Sequence, residues 1–283
     1  MRSQGQGEWH EESLSQTTNP IAKLFVSIFN FMCDTATVAE LEARKLHHDF
    51  TELLTRAVQP ALWLLIFGEV LSQIRAIPTG HLPYLTFMTP GILAQSVLFI
   101  AIFYGIGVIW ERDLGILHQM LASPAPRSAL VLGKGLSAGE RGLSQAAIVY
   151  ILASLLGVNI NWSLSAILSV LFVVILGSAL FSTFSLIVAS IVRTRERFMG
   201  VGQILTMPLF FASNAIYPIS IMPSWLQAIS RVNPLTYEVD ALRGLMVIGG
   251  TSVNGMFTDV VALLAATAVL VTIAARLYPK VVV

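Results

Sequence analysis

The 283-residue chain is 55% hydrophobic and only 12% charged, with a formal net charge of +1 and a mean hydropathy of +0.75. That much apolar surface exceeds what one soluble core of this length can hide, and the near-neutral balance excludes the basic face a nucleic-acid partner demands. The single cysteine, Cys33, excludes an internal disulfide.

Residues 1–38 read as a polar tail and surface segment. The tail is rich in Ser, Gln, Thr and Glu, and the apolar run Ile21–Cys33 is too short to span, follows no basic stretch and precedes no clear cleavage site. It is expected to lie on the membrane. Residues 39–56 are amphipathic, with Leu41, Leu46, Phe50, Leu53 and Leu54 near one face and Glu40, Glu42, Lys45, Asp49 and Glu52 mostly elsewhere. Such a helix belongs in the interfacial plane. His47 and His48 within it have no partner ligand at a metal-site spacing and read as solvated.

A hydrocarbon core of about 30 Å requires ~20 apolar helical residues, and a backbone in lipid must satisfy its own hydrogen bonds. Six stretches qualify within residues 57–277: spans 57–74, 84–110, 136–158, 166–192, 199–219 and 260–277. Residues 278–283 form a short tail. The fold class expected is an all-α membrane protein of six transmembrane helices. Of the 17 basic residues, only Arg75, Arg231 and Arg243 fall in the loops of one side. The positive-inside rule therefore places both termini and the second and fourth loops in the cytoplasm.

Between spans two and three, Leu114, Leu117 and Leu121 recur at helical spacing, widened by Ile116 and Met120, with Glu111, Arg112 and Asp113 expected at the helix start and Pro124 and Pro126 ending it. An apolar face outside the membrane needs cover, either from lipid or from a groove on a cytoplasmic partner. Between spans five and six, Ser220–Gly250 is apolar but broken by Pro223, Asn233-Pro234 and Gly244. It suits a pair of short re-entrant or interfacial helices on the outer side. There Asp240 and Arg243 are i, i+3 neighbours able to pair or to line an outer exit.

Inside the spans, only Glu69 reads as a plausible buried charge, facing a conduit or pairing with Arg75. Pro90-Gly91 and Pro208 with Asn214 suggest bends in the second and fifth spans. Ser178, Ser182, Thr183 and Ser185 give the fourth span a small surface suited to close packing. Leu136-Ser137-Ala138-Gly139-Glu140 has the look of an ATPase signature, but no Gly-x-x-x-x-Gly-Lys-Ser/Thr element exists and the match opens an apolar span, so it is assigned to chance. His-Glu-x-x-His does not occur, the histidines lie outside the spans and away from any intramembrane serine, and no catalytic, cofactor or metal site is expected in this chain.

The charged cluster at 111–113, the glycine-led apolar segment and the Leu121-Ala122-Ser123-Pro124 exit, together with Met222-Pro223-Ser224-Trp225-Leu226-Gln227, Arg231-Val232-Asn233-Pro234-Leu235-Thr236-Tyr237 and Ala241-Leu242-Arg243-Gly244, resemble the membrane subunit of ABC-2 type exporters. That group includes daunorubicin-resistance, nodulation-factor and polysaccharide permeases, and the likeness covers about residues 40–277. It implies a dimeric permease in the plasma (inner) membrane, pairing with a second permease chain, identical or homologous, and with two copies of a separate ATPase that holds the ATP and Mg. By the same resemblance residues 111–126 form a coupling helix, with Arg112, Asp113, Leu114, Leu117 and Leu121 facing the ATPase, and residues 39–56 form a connecting helix. Glu69, Asn214, Tyr237 and Glu238 are the candidates for a substrate path. Two other classes remain open: a secondary transporter driven by an ion gradient, which usually carries inverted repeats and several midplane ionisable residues, and a non-transporting membrane scaffold.

Overall fold

The computed structural model describes residues 29–38, 40, 55, 58–74, 77–116, 122, 126–192 and 194–277. Among them every regular element is a helix, and the extended pairing is an isolated antiparallel bridge between Ile160 and Val247. In chain order the helices are α1 (29–38), α2 (58–74, π-helical over Trp63–Gly68), α3 (Tyr84–Phe103), α4 (Gly105–Asp113), α5 (Arg127–Leu155), α6 (Leu164–Ile191), α7 (Arg195–Phe211), α8 (Ser224–Val232), α9 (Pro234–Met246) and α10 (Met256–Leu277). Among the described residues, α3 continued by α4, α6, and α10 are long and apolar enough to cross a membrane.

Helix α6 runs through the centre and packs on α5, α10, α3 and α9. Lipid tails are as apolar as leucine, so helices in a bilayer associate through close contact rather than through water release. The serine-rich face of α6 meets that need. Gly135 lies against Ala179 and Thr183, Gly139 against Ile175, and Gly142 against Val174 and Ser178, so three glycines of α5 let the two backbones approach. At the base of the bundle Gly133 receives Thr35 and Val38 of α1, and Val38 is buried with Val108, Leu130, Val131, Leu186, Val271 and Ala274.

Three boundaries differ from the sequence reading. Helix α5 begins at Arg127, well before the expected 136, because the charge that argued for a loop is neutralised: Lys134 is buried, with its Nζ 2.5 Å from Glu111 Oε2. The expected fifth span, 199–219, is helical only from Arg195 to Phe211, and Asn214 sits in the turn that follows. Glu111, Arg112 and Asp113 close the long α3–α4 helix instead of opening the next one; Leu114 ends it and Gly115 reverses the chain at φ 74°. Residues 117–121 and 123–125, and nearly all of 39–56, lie outside the described residues, as do 1–28 and 278–283.

A break absent from the sequence reading separates α3 from α4 at Tyr104. Ser185 of α6 inserts there, donating to the Ile102 carbonyl and accepting from Gly105 N at 3.0 Å. A side chain entering the i→i−4 ladder is a recognised cause of helix distortion, and Gly105 is needed because any Cβ would collide with Ser185 and Phe198. Pro90, by contrast, lies inside uninterrupted helix, with Gly91 against the Ala215 backbone.

Candidate functional site

Two clusters sit at opposite ends of the bundle. At the first end, the last turn of α4 meets the start of α7. Arg112 Nη2 donates to Asp113 Oδ1 at 2.9 Å, and Arg195 Nη2 donates to Asp113 Oδ2 at 3.0 Å. The Arg195 guanidinium also lies 3.4 Å from the centroid of the Trp110 ring, a cation–π contact. Thr194 caps α7 by accepting from Arg197 N, which fixes the approach of Arg195. Asp113 is exposed and Arg112 and Arg195 are partly so, and solvent-screened ion pairs of this kind contribute little to stability. Leu114 projects beside them two-thirds exposed, and Ile116 is also exposed. Thus a charged rim surrounds an uncovered apolar tip. The second and fourth loops, which the charge count placed on one side, meet here through Asp113 and Arg195.

Beneath this rim, the α4–α5 seam carries a ladder of polar contacts. Lys134 pairs with Glu111, the Tyr104 and Ser137 hydroxyls lie 3.0 Å apart, and the Arg141 guanidinium lies 5.0 Å from the Tyr104 ring centroid. Ser137 and Gly139, part of the signature-like run, are therefore occupied in helix packing.

At the other end, the Asn-Pro-Leu-Thr-Tyr segment builds a corner between α8 and α9. Asn233 Oδ1 caps α9 by accepting from Leu235 N at 3.0 Å, and Pro234 takes the first helical position, where no N–H is needed. The same side chain donates from Nδ2 to the Leu209 carbonyl at 2.6 Å, satisfying a last-turn carbonyl of α7. Tyr237 donates its hydroxyl to the Arg231 carbonyl at 2.6 Å, and Ser230 and Thr236 lie in hydrogen-bond contact at 3.2 Å.

One turn onward lies a buried ionic knot. Asp240 Oδ2 accepts from Asn254 N at 2.9 Å and from Ser252 Oγ at 3.3 Å, while Ser252 also donates to Asp259 at 2.7 Å. Arg243 donates to the Asn214 carbonyl at 2.7 Å and stacks on Phe87 with its guanidinium 3.8 Å from the ring centroid. The Asp240–Arg243 pairing expected from sequence is present at 4.0 Å.

The four candidates for a substrate path do not converge. Asn214 joins the knot, Tyr237 locks the corner, and Glu69 lies on the surface of the single chain, on α2. Among the described residues, Lys134, Glu238, Asp240, Arg243 and Asp259 are the charged residues buried within the bundle. Glu238 lies fully buried with its carboxyl against Gly177, midway along α6, and neither of its oxygens has a hydrogen-bond partner among the described residues. Sequence reasoning missed Lys134 and Asp259; the i, i+3 and i, i+4 spacing of Lys134, Ser137 and Arg141 on one helix face was the available signal. Leu117 and Leu121 lie outside the described residues.

Residues 35–247 match the family described as ABC-2 type transporter. The chain is 31% identical over 197 residues to the putative transport permease ycf38 of Cyanophora paradoxa, covering 68% of this chain and 67% of that protein. It is 27% identical over 199 residues to the daunorubicin resistance ABC transporter permease protein DrrB1 of Streptomyces coeruleorubidus, with 70% of each chain covered. Nodulation protein J of Rhizobium leguminosarum bv. trifolii is 24% identical over 196 residues, 69% of this chain and 73% of that protein.

Proposed function

The chain belongs to the ABC-2 type transporter membrane family, and on that premise we propose that it is the membrane-spanning permease subunit of an ATP-driven exporter. Energy comes from a separate ATPase subunit, and the cargo is a hydrophobic, lipid-like, drug or glycan molecule moved out of the cytoplasm. The observation that carries this reading is the Arg112–Asp113–Arg195 rim around exposed Leu114. A charged border with an apolar tip is what a docking helix offers a soluble partner.

In this proposal the bundle crosses the plasma (inner) membrane six times. Helices α2, α5 and α7 supplement the three apolar ones, both termini are cytoplasmic, and α8 and α9 form the re-entrant outer pair. Two such chains meet two ATPases. Closure of the ATPases on ATP moves the 111–126 segment, and the seam through Lys134 and Tyr104 passes that motion to α6, where Ser185 already couples the two helices. Glu238, Asn214 and Tyr237 lie on the outer half of the route, and Glu69 faces the second permease.

The test is transport in inverted vesicles bearing the chain with its ATPase. ATP-dependent uptake that stops when the ATPase is removed supports the proposal. Transport that collapses with a protonophore yet survives loss of every ATPase overturns it in favour of the ion-gradient transporter, and absence of any cargo accumulating in cells lacking the chain points to a scaffold.

A further inference from the structure

A cavity of about 300 Å³ lies between α2, α3 and α5, lined among the described residues by Gln59, Ser96, Phe99, Ile100, Phe103 and Gln145. The function proposed above makes no use of it. Gln145 is 1% exposed, and neither its amide oxygen nor its amide nitrogen has a hydrogen-bond partner among the described residues. An unbonded buried amide is costly in an apolar interior. It offers two donors and an acceptor to whatever enters. Ser96 already donates its hydroxyl proton to the Ile92 carbonyl at 2.8 Å, which leaves its oxygen free to accept.

Gln59 of α2 adds a second amide to the lining, and the rest of the wall is aromatic and aliphatic, with the Phe99 and Phe103 rings 6.2 Å apart and tilted by 35°. No charged side chain lines the cavity among the described residues. One turn before Gln145, Arg141 lies over the Tyr104 ring, and Lys134 is held by Glu111. An ion would therefore enter without a counter-charge, which a low-dielectric interior penalises. The volume sits at the small end of ligand pockets, enough for a head group and not for a whole amphiphile.

We propose that this cavity binds the uncharged, hydroxyl- or amide-bearing head of an amphiphile, with Gln145 as its hydrogen-bonding anchor and Phe99 and Phe103 as its apolar wall. The site rests on the bundle lying in a bilayer, and it stands whether or not ATP drives transport. The same chemistry is found in a resident membrane lipid and in a transported cargo.

Native mass spectrometry of the full chain with its ATPase tests it, using three lipids with matched dioleoyl chains: monoglucosyl dioleoylglycerol, dioleoyl phosphatidate and dioleoyl trimethylammonium propane. The neutral lipid is expected to bind in preference to both ions. Gln145→Leu is expected to weaken it at least tenfold while leaving the thermal midpoint unchanged or higher, since an unbonded amide is removed. Ile100→Phe, which fills the cavity and keeps Gln145, is expected to weaken it as much. Preference for phosphatidate would assign the site to Arg141 and overturn the proposal; so would equal binding by both variants, or a lowered midpoint in Gln145→Leu, which would mark a structural amide. A fluorescent form of the neutral lipid that ATP moves between leaflets in proteoliposomes is cargo, and one that binds without moving is a resident lipid. Both outcomes support the site, whereas failure of ATP to move any substrate counts only against the exporter reading.

Discussion

Arg243 and Asp240 lie one turn apart on α9 and face the same buried knot, yet each fastens a different neighbour. Asp240 holds the 252–254 turn ahead of α10, and Arg243 holds the Asn214 turn after α7 and the Phe87 ring of α3. The pair itself is long, at 4.0 Å, so its importance is as a hub joining segments distant in sequence.

Removing one member leaves an uncompensated buried charge, a loss of about 3–5 kcal/mol. Asp240→Asn and Arg243→Gln are each expected to lower the thermal midpoint strongly in detergent, and the double variant to lose less than the sum of the two. Strict additivity in that cycle would show that the two charges do not interact.

Glu238 and Gly177 make a second, opposite case. The carboxyl packs where Gly177 lacks a Cβ and has no bonded partner among the described residues. Gly177→Ala is expected to cost about 1–3 kcal/mol through overpacking, and Glu238→Ala to suppress most of that loss. Glu238→Leu alone is expected to stabilise the fold by about 1 kcal/mol or more, read as a raised midpoint, while reducing transport, the usual exchange of function for stability. A Glu238→Leu protein that is destabilised would give the carboxyl a structural role.

The apolar helices were legible because length and composition suffice for them: α6 at Leu164–Ile191 falls within two residues of its expected bounds. The small-residue face of α6 was equally legible, since serine and threonine on an apolar helix have few other uses. The start of α5 was not, because the burial of Lys134 depends on Glu111, a residue of another helix. The break at Tyr104 was hidden for the same reason: its cause, Ser185, is far along the chain. Asn233-Pro234 was read as a break between two short helices, and α8 and α9 do meet there, but its bond to Leu209 needs the fold. Gln145 drew no notice, as one amide in an apolar run carries no sequence signal.

Membrane sidedness follows from which residues share an end of the bundle. In a Cys33→Ser background, single cysteines at exposed Ile116, His81 and Val253 are expected to label from opposite sides with a membrane-impermeant maleimide. His81→Cys and Val253→Cys should react in intact cells, and Ile116→Cys only after permeabilisation. Labelling of positions 81 and 116 from the same face would remove the span formed by α3 and α4, and with it the six-span arrangement.

The charged rim and the buried pair beneath it separate docking from folding. Asp113 is exposed, so breaking its bonds to Arg112 and Arg195 is worth at most about 1 kcal/mol, and Asp113→Ala is expected to leave the thermal midpoint nearly unchanged. Lys134 is buried, so Glu111→Gln removes a counter-charge from a buried cation and is expected to lower the thermal midpoint more than Asp113→Ala does. If the rim receives the ATPase, Leu114→Asp, which places a carboxylate at the apolar tip, should cut co-purification of the ATPase at least tenfold without loss of folded protein. Leu117→Asp and Leu121→Asp, on the same predicted stripe, should do likewise. A Leu114→Asp chain that retains its ATPase and its transport would place the docking surface elsewhere, because no partner that buries that leucine tolerates a charge in its place without a large loss of affinity.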